Sequence, residues 1–186
     1  MIIHIYAKVS VYNMYHIVRL DAPSDARFLY KWHQESYYTI PDANSLQVWA
    51  PLVEKSTKEN GTVEVLVGSH EKEIQHRIER VRGGGHEQKY LEDNDIDKDY
   101  KMLRVEIGVG DVLFFHPYLI HRSGVNTTSK VRYSLTSHYL DPLSIDFNAD
   151  SLKMLSGYHA ECSGLTNCSG LTNLDTKIAL YPSRGY

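Results

Sequence analysis

The chain predicts an all-β fold, an antiparallel barrel or jelly roll with a few short helices at its edge. Three observations carry that expectation. Short segments rich in β-branched residues and tyrosine recur between residues 9 and 140, the composition of half-buried strands. Glycine, proline, asparagine and aspartate separate them at close intervals, which makes turns rather than long crossovers. No βαβ rhythm and no phosphate-loop pattern interrupts the series, so a parallel α/β sheet is disfavoured.

The elements follow in order. Residues 9–12 and 15–20 read as strands, and Asp21-Ala22-Pro23-Ser24-Asp25 as a turn. Residues 28–33 read as the next strand, with His33 and Glu35 delivered at its end. Side chains at i and i+2 of an extended segment point the same way, so Gln34 points elsewhere. Residues 37–44 form a loop around Pro41-Asp42, and residues 46–52 a strand that stops at Pro51. Residues 62–67 alternate as a strand and end at Gly68-Ser69-His70. Residues 71–82 carry charges at helical spacing and read as a short helix or an exposed arm. Gly83-Gly84-Gly85 is the most flexible point of the chain, and residues 92–99 are acidic and solvent-facing. Residues 103–107, 112–115 and 131–140 read as strands, with Leu119-Ile120-His121 leading toward the second site, a turn over 124–129, and Arg132, Ser134 and Thr136 on one face of the last strand.

The final forty residues differ in character. Residues 150–158 read as a short helix, and Cys162-Ser163-Gly164-Leu165-Thr166-Asn167 recurs at residues 168–173. Two copies are too few for a solenoid. They read as surface coil on the barrel or against a partner. The length of 186 residues suits one domain over residues 1–186, with a core over 28–140 and a C-terminal extension over 147–186.

Composition narrows the function. A net charge of -3 argues against a nucleic-acid binder. No stretch reaches about 18 continuous apolar residues, so no membrane helix is expected. The start has no basic leader, and Cys162 and Cys168 form no disulfide or zinc pattern. A cytoplasmic, reducing compartment is the expectation, with a monomer or homodimer acting on a small molecule. The glycosylation sequons at Asn126 and Asn167 read as chance matches.

Two segments carry the chemistry. His33-Gln34-Glu35 supplies an imidazole and a carboxylate, and His121 supplies a second imidazole from a distant strand. Two histidines and a carboxylate are the ligand set of a non-haem Fe(II) oxygenase, which leaves positions open for a 2-oxoacid and dioxygen. Arg132 follows His121 by eleven residues. Its planar fork suits the distal carboxylate of an acidic cosubstrate, and Ser134 would face the same group.

Trp32-His33-Gln34-Glu35, the run from Asn60-Gly61-Thr62 to Gly68-Ser69-His70, the block from Gly110-Asp111 through His121 to Asn126, and Arg132-Tyr133-Ser134-Leu135 together resemble the phytanoyl-CoA dioxygenase family. The resemblance covers residues 28–140, about three fifths of the chain. It implies a double-stranded β-helix core of cupin-like jelly-roll type, with Fe(II), 2-oxoglutarate and dioxygen. It also implies decarboxylation of the cosubstrate to succinate and CO2 and hydroxylation of an unactivated carbon. Carried over residue by residue, His33, Glu35 and His121 become catalytic metal ligands and Arg132 the 2-oxoglutarate clamp. Trp49 matches an aromatic position beside the cosubstrate, Ser134 a small polar residue near the clamp, and Gly61 an architectural turn. The family usually has aspartate where this chain has Glu35, and the region before His33 is shorter than its norm. Because a carboxylate is kept, halogenation is disfavoured.

Simpler readings stand beside these. Ser134 as an interior hydroxyl, Trp49 as core and Arg132 as a strand ion pair are the plain alternatives. His116 and His138 read as packing residues near the site, and His70 and His76 as a turn residue and a solvated one. At the level of function, the alternatives are a cupin-like metal enzyme that uses no 2-oxoglutarate and a non-catalytic jelly-roll binding domain.

Overall fold

The computed structural model describes residues 12–27, 29–38, 44–80 and 87–141. Nine strands appear among them: β1 (Tyr12–Asp21), β2 (Ser45–Pro51), β3 (Val63–Val67), β4 (Arg77–Arg80), β5 (Glu87–Tyr90), β6 (Lys101–Arg104), β7 (Leu113–Phe115), β8 (His121–Ser123) and β9 (Arg132–Leu140). Three 3-10 turns, Glu35–Tyr38, Ser69–Glu71 and Asp93–Asp95, complete the elements.

One sheet has the order β1-β9-β2-β7 and a second the order β6-β3-β8. Every pairing is antiparallel. An isolated antiparallel bridge between His33 and His121 extends the second sheet past β8. The chain therefore crosses repeatedly between two four-rung layers. This is the double-stranded β-helix, with β4 and β5 inserted as a separate hairpin.

The alternation of β3 shows how the layers pack. Val63 and Val65 point inward and join Trp49 and Phe115 of the opposite sheet in one core cluster. Glu64 and Leu66 point outward. Leu66 enters a second cluster with Trp32, Leu91 and Ile120. Glu64 is buried because Arg104 and Arg122, on the flanking strands, donate to its two oxygens at 2.8 and 2.7 Å.

Several expectations change. The strands expected over 15–20 and at Tyr12 are one, β1, which also takes in Asp21 from the expected turn, while residues 9–11 lie outside the described residues. The strand expected over 103–107 runs instead over Lys101–Arg104. Of the stretch over 71–82, the described residues 71–80 are neither an α-helix nor a free arm, because β4 pairs with β5 in a hairpin and the charges of Arg77 and Glu79 lie on its surface. The segment before His33 is not a continuous strand. Only His33 itself bridges, and the chain enters a 3-10 turn at Glu35. Gly83-Gly84-Gly85, the helix expected over residues 150–158 and the repeat over 162–173 lie outside the described residues. No described helix is long and apolar enough to cross a membrane.

Gly61 is architectural in a specific sense. Its φ is +81°, and a Cβ there would lie 2.6 Å from the carbonyl oxygen of Gly124 and 2.7 Å from the amide of Asn126. Backbone meets backbone where β3 and β8 begin to pair. Gly68 has a similar φ of +88° but open space around it. Gly61→Ala is expected to cost about 3 kcal/mol, and Gly68→Ala about 1 kcal/mol from backbone strain alone. Urea unfolding of the two variants measures the difference, and equal costs would discount the close approach.

Candidate metal centre

The site begins with two backbone hydrogen bonds. The His33 amide donates to the His121 carbonyl and the His121 amide returns the bond, both at 3.0 Å. Residues paired in this way place their side chains next to each other on one face of the sheet. The two imidazole centroids are 4.2 Å apart. Each ring is held by a main-chain carbonyl two residues earlier. His33 Nδ1 lies 2.8 Å from the Lys31 oxygen, and His121 Nδ1 lies 2.9 Å from the Leu119 oxygen. A carbonyl only accepts, so each Nδ1 carries the hydrogen and each Nε2 keeps its lone pair for a metal.

Glu35 reaches this pair by a route other than strand alternation. Its amide donates to the Pro117 carbonyl at 2.8 Å, anchoring the first residue of the 3-10 turn. Its Oε2 then lies 3.4 Å from His33 Nε2 and 3.5 Å from His121 Nε2. The three donor atoms lie within 4.8 Å of one another, and all three residues are shielded from solvent. The two separations from Glu35, 3.4 and 3.5 Å, are close to the roughly 3 Å between neighbouring donors of an ion with bonds of about 2.1 Å. The set is a two-histidine, one-carboxylate triad consistent with Fe(II).

Electrostatics suit a cation. Burial pushes the Glu35 carboxyl up, but His138, His121 and His33 together hold it well below the usual carboxylate range. His33 is pushed down by burial and then by His121, so its ring stays neutral. The metal would therefore meet an ionised Glu35 and a neutral His33, the forms that coordinate.

His138 and His76 complete the support. His138 Nε2 sits 3.4 Å from Glu35 Oε1, the oxygen turned away from the other two rings. This agrees with its reading as a residue near the site, and the extra methylene of Glu35 brings both of its oxygens into use. The expectation for His76 is overturned. It is 9% exposed, and its Nε2 accepts the Gln34 amide at 2.7 Å while Nδ1 donates to the Ile74 carbonyl at 2.7 Å. It thus holds the peptide between two of the triad residues. The charged run around it masked this role, because burial of one ring by a distant segment leaves no periodic signal. Gln34 faces away from the triad, as the spacing predicts. It is fully buried and ties residues 72, 74 and 118 to the same segment.

A cavity of about 130 Å³ holds the triad. Tyr30, Tyr38, Trp49 and Phe115 contribute aromatic walls, and Arg132 lines the same cavity. The Arg132 guanidinium stands 5.7 Å from the Trp49 ring centroid, and its Nη1 lies 3.5 Å from Ser134 Oγ. Its Nε is buried without a hydrogen-bond partner, which leaves donor capacity for a carboxylate. Sequence reading did not anticipate Asp21, whose Oδ2 accepts from Arg132 Nη2 at 2.6 Å. The turn assignment hid it, although β1 pairs Asp21 directly opposite Arg132.

A family model described as Phytanoyl-CoA dioxygenase (PhyH) matches residues 5–134. A "Probable phytanoyl-CoA dioxygenase" of Caenorhabditis elegans is 31% identical over 129 residues, 67% of this chain and 41% of that protein. The "1-deoxypentalenic acid 11-beta-hydroxylase" of Streptomyces arenae is 27% identical over 150 residues, 78% of this chain and 49% of that one. The chain thus spans less than half the length of these two relatives. EvdO2 from Micromonospora carbonacea var. aurantiaca, solved with 2-oxoglutarate, shares the fold. Its TM-score is 0.60 at 18% identity, covering 74% of this chain and 56% of that one.

Two measurements test the supporting residues. His138→Ala should weaken Co(II) or Fe(II) binding about tenfold or more, as loss of a ligand's hydrogen-bond partner does; calorimetric titration reads it, and unchanged affinity would make His138 a packing residue. Burial, chiefly, pushes His76 down to about 4 from 6.5. As pH falls through that window the unfolded chain takes up a proton that the folded one does not, so stability declines from about 6.5 to about 4 and then levels. In metal-free protein, the urea midpoint should fall less steeply with pH in His76→Gln than in the parent. An equal slope would show that His76 titrates normally.

Proposed function

The chain belongs to the phytanoyl-CoA dioxygenase family, and from that premise we propose that it is an Fe(II)- and 2-oxoglutarate-dependent dioxygenase hydroxylating an unactivated carbon of a small molecule. One observation carries the reading: the His33-Glu35-His121 triad and the Arg132 guanidinium, brought in by different sheets, open into a single cavity.

Fe(II) and 2-oxoglutarate, when bound, supply dioxygen activation, with decarboxylation to succinate and CO2 coupled to substrate hydroxylation. The residues of this chain provide the rest. His33, Glu35 and His121 hold the metal on one side, and the Nδ1 hydrogen bonds keep both rings aimed. His138 steadies the outer oxygen of Glu35. Arg132 grips the distal carboxylate of the cosubstrate with help from Ser134, and Trp49 walls the same end. Tyr30, Tyr38 and Phe115 keep bulk water from the reacting centre. These aromatic walls and the net charge of -3 support a small, partly apolar substrate rather than a nucleic acid. The Streptomyces arenae relative is by name a hydroxylase of 1-deoxypentalenic acid, which is in line with this reading.

One observation favours a second reading. The Asp21–Arg132 pair would serve a cupin-like metal enzyme in which Arg132 is structural. Succinate release separates the two. Anaerobically reconstituted protein, exposed to oxygen with 2-oxoglutarate, should form succinate even without a substrate. His121→Ala should reduce it to background, and Arg132→Ala should raise the KM for 2-oxoglutarate about 100-fold. Succinate unchanged in both variants would sink the assignment.

A further inference from the structure

The Arg132 end of the cavity holds more charge than a clamp requires. Asp21 divides its carboxylate between two arginines. Oδ2 accepts from Arg132 Nη2 at 2.6 Å, and Oδ1 accepts from Arg19 Nη2 at 3.0 Å. Asp21 and Arg132 are 4% and 3% exposed, and they are cross-strand partners at the ends of β1 and β9. Arg19 also borders the cavity, its guanidinium 4.8 Å from the Tyr30 ring centroid.

The geometry bears on any second carboxylate. An arginine offers two forks for two-point contact, and Nη2 belongs to both. That nitrogen is already engaged by Asp21. Nη1 makes only a 3.5 Å contact to Ser134, and Nε has no partner. An incoming carboxylate in either fork would share Nη2 with Asp21, and two like charges would face each other across one nitrogen at short range. Arg19 offers relief. Two guanidiniums and one carboxylate leave one net positive charge, enough for a single further carboxylate.

We propose that Asp21 is a built-in competitor for the distal carboxylate of the cosubstrate, and that cosubstrate binding shifts Asp21 from Arg132 towards Arg19. This rests on the 2-oxoglutarate reading above. Asp21 thereby sets the cosubstrate affinity below what Arg132 alone would give. It also makes Arg19 a specificity residue: it accepts the displaced carboxylate.

Calorimetric titration of the anaerobic Fe(II)-loaded protein with 2-oxoglutarate tests this, with 2-oxopentanoate, which lacks the distal carboxylate, as the comparison ligand. Asp21→Asn should bind 2-oxoglutarate about tenfold more tightly, and Arg19→Gln about tenfold more weakly, with 2-oxopentanoate unchanged in both. The opposite signs separate this role from a structural ion pair, whose loss from either side would weaken binding. The difference should persist in about 1 M salt, where screening acts within about 3 Å and removes longer-range field effects. If Asp21→Asn binds 2-oxoglutarate no more tightly than the parent, the proposal is overturned. Should Asp21→Asn not fold, Asp21→Ser takes its place, and binding no tighter than the parent overturns the proposal. A parent protein that binds Fe(II) but no 2-oxoglutarate overturns the cosubstrate reading itself, a different result from a failure of Asp21 alone.

Discussion

The reciprocal backbone bridge between His33 and His121 is the contact on which the rest of the site depends. It joins two segments 88 residues apart in an antiparallel pair, with both hydrogen bonds at 3.0 Å. No side-chain interaction could set the ring spacing as tightly, because the bridge fixes both Cα atoms before either imidazole rotates. The carbonyls of Lys31 and Leu119 then remove the remaining ring freedom. The neighbouring contacts serve this bridge. His76 and Gln34 hold the segment on one side, and the Gly61–Gly124 approach closes the β3–β8 ladder on the other.

Around that bridge the buried charges are arranged in two groups. Glu35 sits among three imidazoles, and Asp21 sits between two guanidiniums. Burying charge is costly unless it is paired, and each carboxylate here has several partners. The groups differ in consequence. Imidazole nitrogens carry lone pairs that a metal can use, whereas guanidiniums only donate and so pair with anions. The cavity is thus lined both by the triad around Glu35 and by the guanidiniums of Arg19 and Arg132.

Much of the fold was legible in local pattern. β2, β3, β7 and β9 lie within about one residue of where alternation and turn residues put them. The misses lie where tertiary contact overrides local pattern. The hairpin of β4 and β5 was hidden because its exposed faces carry charges whose spacing mimics a helix. The turn at Glu35 was hidden because a strand and a 3-10 start look alike over three residues, and tertiary contact with Pro117 selects between them. His76 was missed because a single ring buried by a remote loop leaves no repeat in sequence.

The donor types can be read from the chain alone: two histidines and a carboxylate in two short motifs, and an arginine eleven residues past the second histidine. Side-chain chemistry and spacing are local properties, so a single chain displays them. Tertiary structure alone decided which groups meet. Among ten histidines, the strand order and register bring His33, His121 and His138 to one carboxylate and set His76 behind them. The same register puts Asp21 opposite Arg132. Contacts across 111 residues depend on how the sheets close, and closure is a property of the whole β-helix rather than of any one segment.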